Sequence, residues 1–157
     1  MRESYLTVRE RAFAVYTEKR SEFICNIKRA ETREEALGFI SEIKKKYPDA
    51  RHNVYAYIVR NENTSGYSDD GEPSGTGGTP LLDMLRKKGL TDVSAVVTRY
   101  FGGILLGTGG LIRAYTTAGS MAVENAGIVR FTECEKLEIT LSYADVKPVV
   151  SAVERYS

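Results

Sequence analysis

The chain has no tryptophan, one histidine and two cysteines, and none of its apolar runs approaches the ~20 residues of a membrane-spanning helix. A lone His52 and isolated Cys25 and Cys134, with no CxxC spacing, argue against a zinc site, so no metal and no cofactor is expected. The cysteines read more readily as reduced thiols than as a disulfide, which points to the cytoplasm. The first residues contain no apolar h-region, so no secretory signal is expected. Strong net charge is missing too. At +1 overall, the chain is far from the basic footprint of a dedicated duplex-DNA binder, and neither DNA specificity nor a membrane partner is expected. The asymmetry that exists is a basic excess over residues 1–60, with 13 Lys/Arg against 9 Asp/Glu; it permits an RNA or protein partner and demands neither.

What is present has the patterning of a mixed α+β domain. Residues 12–17 and 22–28 have strand-like apolar patterns and flank the polar 18–21, which predicts an antiparallel hairpin. Thr32-Arg33-Glu34-Glu35 is a capping box, followed by Ala36, Ile40, Ile43 and Tyr47 at helical spacing. Lys44 to Lys46 suit the negative end of the helix dipole, and Pro48 ends the helix. A strand over 54–59 precedes a long loop over 60–78, and loops of that length are often functional. Thr79 reads as an N-cap with Pro80 at the first helical position and Gly89 closing that helix. A strand over 93–98 and a helix over 111–126 follow. Leu111, Tyr115, Ala118 and Ala122 form the apolar face of this helix; Arg113, Thr117, Ser120 and Glu124 share its polar side. A strand over 137–141 and a helix over 145–156 are expected to open a second unit whose remainder is absent.

Twelve of the fourteen glycines lie between Gly66 and Gly119, and nine of them fall in two segments. The first, residues 68–80, holds Asp69, Asp70, Glu72 and Thr76 among glycines and prolines. It reads either as an ordered loop whose carboxylates bond backbone amides or as a polar binding surface. It lacks the alternating oxygen ligands of an EF-hand. The second, residues 96–115, runs strand, glycine loop, helix start. Gly102, Gly103, Gly107, Gly109 and Gly110 offer backbone amides to an anion, and Arg99 and Arg113 bracket them, with Lys19 as a further cation. Both bends are expected to bring these amides and the two guanidinium groups onto one outward-facing patch. The nucleotide fingerprints fail, because Leu111 follows Gly109-Gly110 where a P-loop needs Lys, and Ile112 takes the third glycine position of a dinucleotide motif. His52 reads as a strand-start histidine bonded to a loop carboxylate; a Ser68 or Ser74–His52–Asp70 constellation has no supporting elbow motif.

The run Asp69-Asp70-Gly71-Glu72-Pro73-Ser74-Gly75-Thr76-Gly77-Gly78-Thr79-Pro80, followed by Val97-Thr98-Arg99-Tyr100-Phe101-Gly102-Gly103 and Leu106-Gly107-Thr108-Gly109-Gly110-Leu111-Ile112-Arg113-Ala114-Tyr115, closely resembles the signature of the YigZ/IMPACT family. Lys19-Arg20-Ser21-Glu22-Phe23 is similar to the family's early K-x-S-x-F element, and Ala50-Arg51-His52 leads into Tyr55-Ala56-Tyr57 as expected. Gly77 stands where alanine is usual, and Arg51 and Val54 depart from the usual A-T-H-N-C-Y-A-Y. The resemblance covers about residues 1–130. It implies a two-layer α/β fold like ribosomal protein S5 domain 2 over 1–131, an IMPACT-type N-terminal domain. Residues 132–157 would be the beginning of a ferredoxin-like domain.

By the same resemblance the function is translation-linked and regulatory, exerted by contacting RNA, the ribosome or a translation-associated protein, without a recognisable catalytic centre. Eukaryotic relatives bind a scaffold protein and so restrain a starvation-responsive kinase that bacteria lack. Two alternatives stand beside that reading. One is a phosphate- or nucleotide-binding enzyme using the Gly102–Gly110 loop; the other is an interaction domain in which His52, Asp70, Glu72 and Arg99 only knit loops together.

Overall fold

The computed structural model describes residues 3–155. The elements run β1 (Ser4–Val8), β2 (Ala12–Glu18), β3 (Ser21–Arg29), α1 (Arg33–Lys46), β4 (His52–Val59), β5 (Thr64–Ser68), α2 (Gly78–Lys87), β6 (Val93–Tyr100), α3 (Gly107–Ala126), β7 (Ile128–Thr132) and α4 (Val146–Glu154). Five strands form an antiparallel sheet in the order β2-β3-β6-β4-β5, and β1 pairs with β7 in a separate ribbon. The fold is α+β. No helix among the described residues is long and apolar enough to cross a membrane.

Strand alternation puts apolar residues on both faces of the central strand. Along β6, Val93, Ala95 and Val97 join the core under α2 and α3. Val96 faces the α1 core, where Ser94 donates its hydroxyl to the Ala36 carbonyl. Helices therefore cover both faces of the sheet, α2 and α3 on one and α1 on the other. The small residues of α3 are explained by its neighbours. A Cβ at Gly119 would lie 2.6 Å from a Leu81 methyl and 2.7 Å from the Met84 methyl. Tyr115 reaches the sheet between Ala114 and Ala118 and meets Phe23 edge-on, with ring centroids 5.1 Å apart.

The capping box forms. Thr32 Oγ accepts from the Glu35 amide at 3.1 Å, and the Glu35 carboxylate accepts from the Glu31 amide at 2.8 Å. Three sequence expectations are corrected. The long loop after β4 contains β5, which pairs with β4 from Tyr55↔Ser68 to Val59↔Thr64. The helix expected from Thr79 begins at Gly78 with Gly77 as its N-cap, because a distant carboxylate does the capping. Residues 137–141 form no strand. Their Leu137, Ile139 and Leu141 alternate but are exposed, with no neighbouring strand among the described residues to complete a ladder. The helix expected there is α4, which is solvent-exposed along most of its length; Tyr156, at the end of the expected span, lies outside the described residues.

Candidate binding site

The first glycine segment is closed upon itself. Asp69 Oδ1 accepts from the amides of Gly77 (3.1 Å) and Gly78 (2.8 Å), and Oδ2 accepts from Gly75 (2.9 Å). Asp69 therefore does for α2 what an N-cap side chain would do, from nine residues upstream. Burial pushes its carboxyl upward, but the amides of Gly75, Gly78 and Gly77 outweigh it and hold the group below the usual aspartate range. Gly78 is required by close approach, since a Cβ there would lie 2.8 Å from the Ser68 carbonyl carbon. Thr76 is buried and donates its hydroxyl to the Pro73 carbonyl at 2.6 Å.

Asp70 ties this loop to β4. Its Oδ2 accepts from the Asn53 amide at 2.7 Å, and its Oδ1 lies 3.5 Å from Lys44 Nζ. His52 is bonded to the Asp70 backbone rather than to a carboxylate: Nδ1 lies 2.9 Å from the carbonyl oxygen. A carbonyl only accepts, so Nδ1 carries the hydrogen and Nε2 is left without a protein partner. Ser68 Oγ accepts from the Asp70 amide. The hydrogen bonds of His52 therefore run to backbone, and no serine–histidine–aspartate relay assembles among the described residues.

The two guanidinium groups expected on one patch are separated. Arg99 is buried, its side chain 7% exposed, and its Nη1 donates to Glu72 Oε1 at 2.7 Å. The same oxygen accepts from the Tyr115 hydroxyl at 2.6 Å. Burial, then the Glu72 carboxylate, pushes the Tyr115 phenol far above its ordinary value, so it stays a neutral donor. Arg99 Nη2 lies 3.4 Å from Ser21 Oγ, which also accepts from the Gly102 amide at 3.2 Å. This cluster joins both glycine segments to β3, β6 and α3. Sequence reasoning missed Tyr115 and Ser21 as its members. Tyr115 was read only as an apolar-face residue, and Ser21 only as part of the early family element.

The second segment is split by the same packing. A Cβ at Gly102 would lie 2.0 Å from the Arg20 carbonyl, so this glycine serves contact with the β2–β3 turn and does not present a ligand surface. Gly103, Gly107 and Gly109 are exposed and Gly110 is half-buried. No side chain caps the start of α3. Arg113, one turn on, is exposed and forms no hydrogen bond or ion pair among the described residues; the same is true of Lys19, which sits at the β2–β3 turn with φ +46°. Both line a groove of about 430 Å³ with Tyr16, Glu18, Gly110 and Thr117. Glu18 is engaged there by the Tyr16 hydroxyl at 2.8 Å. Of the expected anion-binding set, Arg113, Lys19 and Gly110 line one groove, with Gly109 beside the Arg113 guanidinium; Arg99 and Gly102 are held elsewhere.

No group of three or more potential metal ligands converges among the described residues. Cys25 and Cys134 are free thiols. Burial pushes the Cys25 thiol up to about 12, which leaves it unreactive.

The family model for the Impact N-terminal domain matches residues 19–123, which contain both glycine segments and the buried cluster. The chain is 48% identical over 130 residues to the IMPACT family member YvyE of Bacillus subtilis, covering 82% of this chain and 60% of that protein. It is 38% identical over 128 residues to the IMPACT family member YigZ of Escherichia coli, covering 80% and 63%. It therefore spans less than two thirds of either relative. A crystal structure of a hypothetical protein superposes with a TM-score of 0.77 at 33% identity, over 98% of this chain and 76% of that one. With the signature segments folded around one buried ion pair and the family match running through them, this chain belongs to the YigZ/IMPACT family.

Proposed function

We propose that the chain is a translation-linked regulatory protein that binds RNA through the open groove beside α3. The observation that carries this reading is the pairing of two exposed, unengaged cations, Lys19 and Arg113, with an uncapped helix start rich in glycine. Unpaired surface cations beside free amides suit phosphate oxygens, which take charge-assisted hydrogen bonds from arginine and ordinary ones from backbone amides. The link to translation comes from family membership. The ribosome is the site of action this reading favours, because it offers exposed RNA to a protein of nearly neutral net charge. The RNA reading is preferred over the enzyme alternative because Gly102 packs against protein and Arg99 is held by Glu72, which takes both out of a Gly102–Gly110 phosphate loop.

The test is binding of the intact chain to RNA and to ribosomes across a salt series. The logarithm of the affinity should fall linearly with the logarithm of salt concentration. Arg113→Ala and Lys19→Ala should each weaken binding and reduce that slope by about one. Absence of binding to either at low salt overturns the reading.

A further inference from the structure

A second concavity adjoins the C-terminal end of β6, and none of its lining residues is shared with the Lys19–Arg113 groove. It has a volume of about 480 Å³ and is lined by Asp49, Arg51, His52, Arg99, Tyr100 and Phe101. We infer that this cavity takes a single unpaired nucleotide, its base on the Phe101 ring and its phosphate toward Arg51; the inference rests on the RNA reading above and narrows it to single strands.

Three features favour this occupant. Phe101 is 55% exposed, yet its ring lies 5.6 Å from the Arg99 guanidinium, a cation that is itself fixed by Glu72. An aromatic ring steadied on one side and open on the other is a platform for a base, because every base has a π-face. Unused polar groups line the same walls. Arg51 is exposed with no ion pair or hydrogen bond among the described residues. His52 uses Nδ1 on the Asp70 carbonyl, and its Nε2 has no hydrogen bond among the described residues. The third feature is Asp49. One of its oxygens accepts from the Tyr100 hydroxyl at 2.8 Å; burial and then that carboxylate push the phenol up to about 12, so it remains a donor. A carboxylate beside Arg51 disfavours a plain polyanion. It suits a ligand that brings both an anion and amino hydrogens, as a cytosine does through its exocyclic amine. A phosphopeptide would engage Arg51 but leave the Asp49 oxygen and the open Phe101 face without matching chemistry.

The experiment measures fluorescence anisotropy of the intact chain with a labelled oligo(C) RNA and with a matched RNA duplex. Titration with cytidine monophosphate, followed at the His52 ring by NMR, runs in parallel with inorganic phosphate as the control. Phe101→Ala and Arg51→Ala change exposed residues, and thermal melting checks that both variants fold. Phe101→Ala should weaken oligo(C) binding by about tenfold or more, as loss of one base–aromatic stack does. Duplex affinity should be unchanged, and Arg113→Ala should weaken both. Cytidine monophosphate should shift the His52 signals where phosphate alone does not. Oligo(C) binding that survives Phe101→Ala and Arg51→Ala unchanged, or the absence of a His52 shift with cytidine monophosphate, overturns this site. Loss of all RNA binding with that shift retained overturns the RNA reading and leaves a nucleotide site standing.

Discussion

Two glycine-rich segments each run into a helix, and the chain finishes them in opposite ways. Before α2, the Asp69 carboxylate takes the amides of Gly75, Gly77 and Gly78, so the loop is internally satisfied. Before α3, no side chain caps the helix, and the residues from Gly107 to Gly109 face solvent. The two arginines that bracket the second segment's loop differ in the same sense: Arg99 is buried against Glu72 of the first segment, while Arg113 is exposed and has no hydrogen bond or ion pair among the described residues. Glycine content alone therefore says little about ligand binding. What separates a structural loop from a binding one is whether a carboxylate within the chain has already taken the donors.

The sharpest way to break that contrast is at the bolt between the two segments. Glu72→Ala leaves the Arg99 guanidinium and the Tyr115 hydroxyl buried without their shared acceptor. Removing one partner of a buried pair costs about 3–5 kcal/mol, far more than an exposed pair is worth. Denaturant unfolding of the variant reads this directly. The double variant Glu72→Leu/Arg99→Met removes both charges and should recover part of the loss. A Glu72→Ala protein within about 1 kcal/mol of the parent would show that the pair is not what joins the segments.

A smaller effect is expected at Asp69. Asp69→Ala removes a carboxylate that acts as a helix cap, which costs roughly 1–2 kcal/mol at neutral pH. Its folded-state pKa is depressed, so the stabilisation is complete above the unfolded value near ~3.9 and is lost as pH falls through the lower folded value. The gap in melting temperature between parent and variant should stay constant from neutral pH down to that range and narrow below it. A gap that closes well above the ordinary aspartate range would mean that Asp69 is not holding the loop as a carboxylate.

These two sites also mark how far the sequence could be read. Elements whose signals are local were legible: the Thr32–Glu35 capping box, the β2–β3 hairpin around residues 18–21, and the buried face of α3 through Leu111, Tyr115, Ala118 and Ala122. The reading of a loop carboxylate bonding backbone amides holds for Asp69 within its own loop, because a short acidic residue among glycines has few other donors nearby, whereas Asp70 reaches the Asn53 amide of β4 and Glu72 reaches Arg99 and Tyr115. Long-range pairings were not legible. The β1–β7 ribbon joins Ser4 to Thr132, and nothing in either five-residue segment names the other. The fate of Arg99 was hidden for the same reason. Its partner Glu72 lies 27 residues away and shares the accepting oxygen with Tyr115, 43 residues from Glu72, and only strand register decides that Arg99 points into the core. The cap of α2 was misplaced onto Thr79 because its true acceptor, Asp69, lies outside the usual capping window.

The smallest stability effect is expected at Arg113, and its smallness is the point. Exposed residues away from caps, cores and networks usually change stability by no more than about 0.5 kcal/mol when substituted. Arg113 qualifies, since its side chain has no ion pair or hydrogen bond and its α3 neighbours Ala114 and Tyr115 make the core contacts. It lines the groove with Gly110 and Thr117, so some packing loss accompanies the loss of charge. Measured side by side, Arg99→Ala should unfold at much lower denaturant and Arg113→Ala at nearly the parent concentration. If Arg113→Ala were as destabilising as Arg99→Ala, the groove beside α3 would be a structural seam like the first segment, and the case for an open phosphate-binding surface would lose its footing.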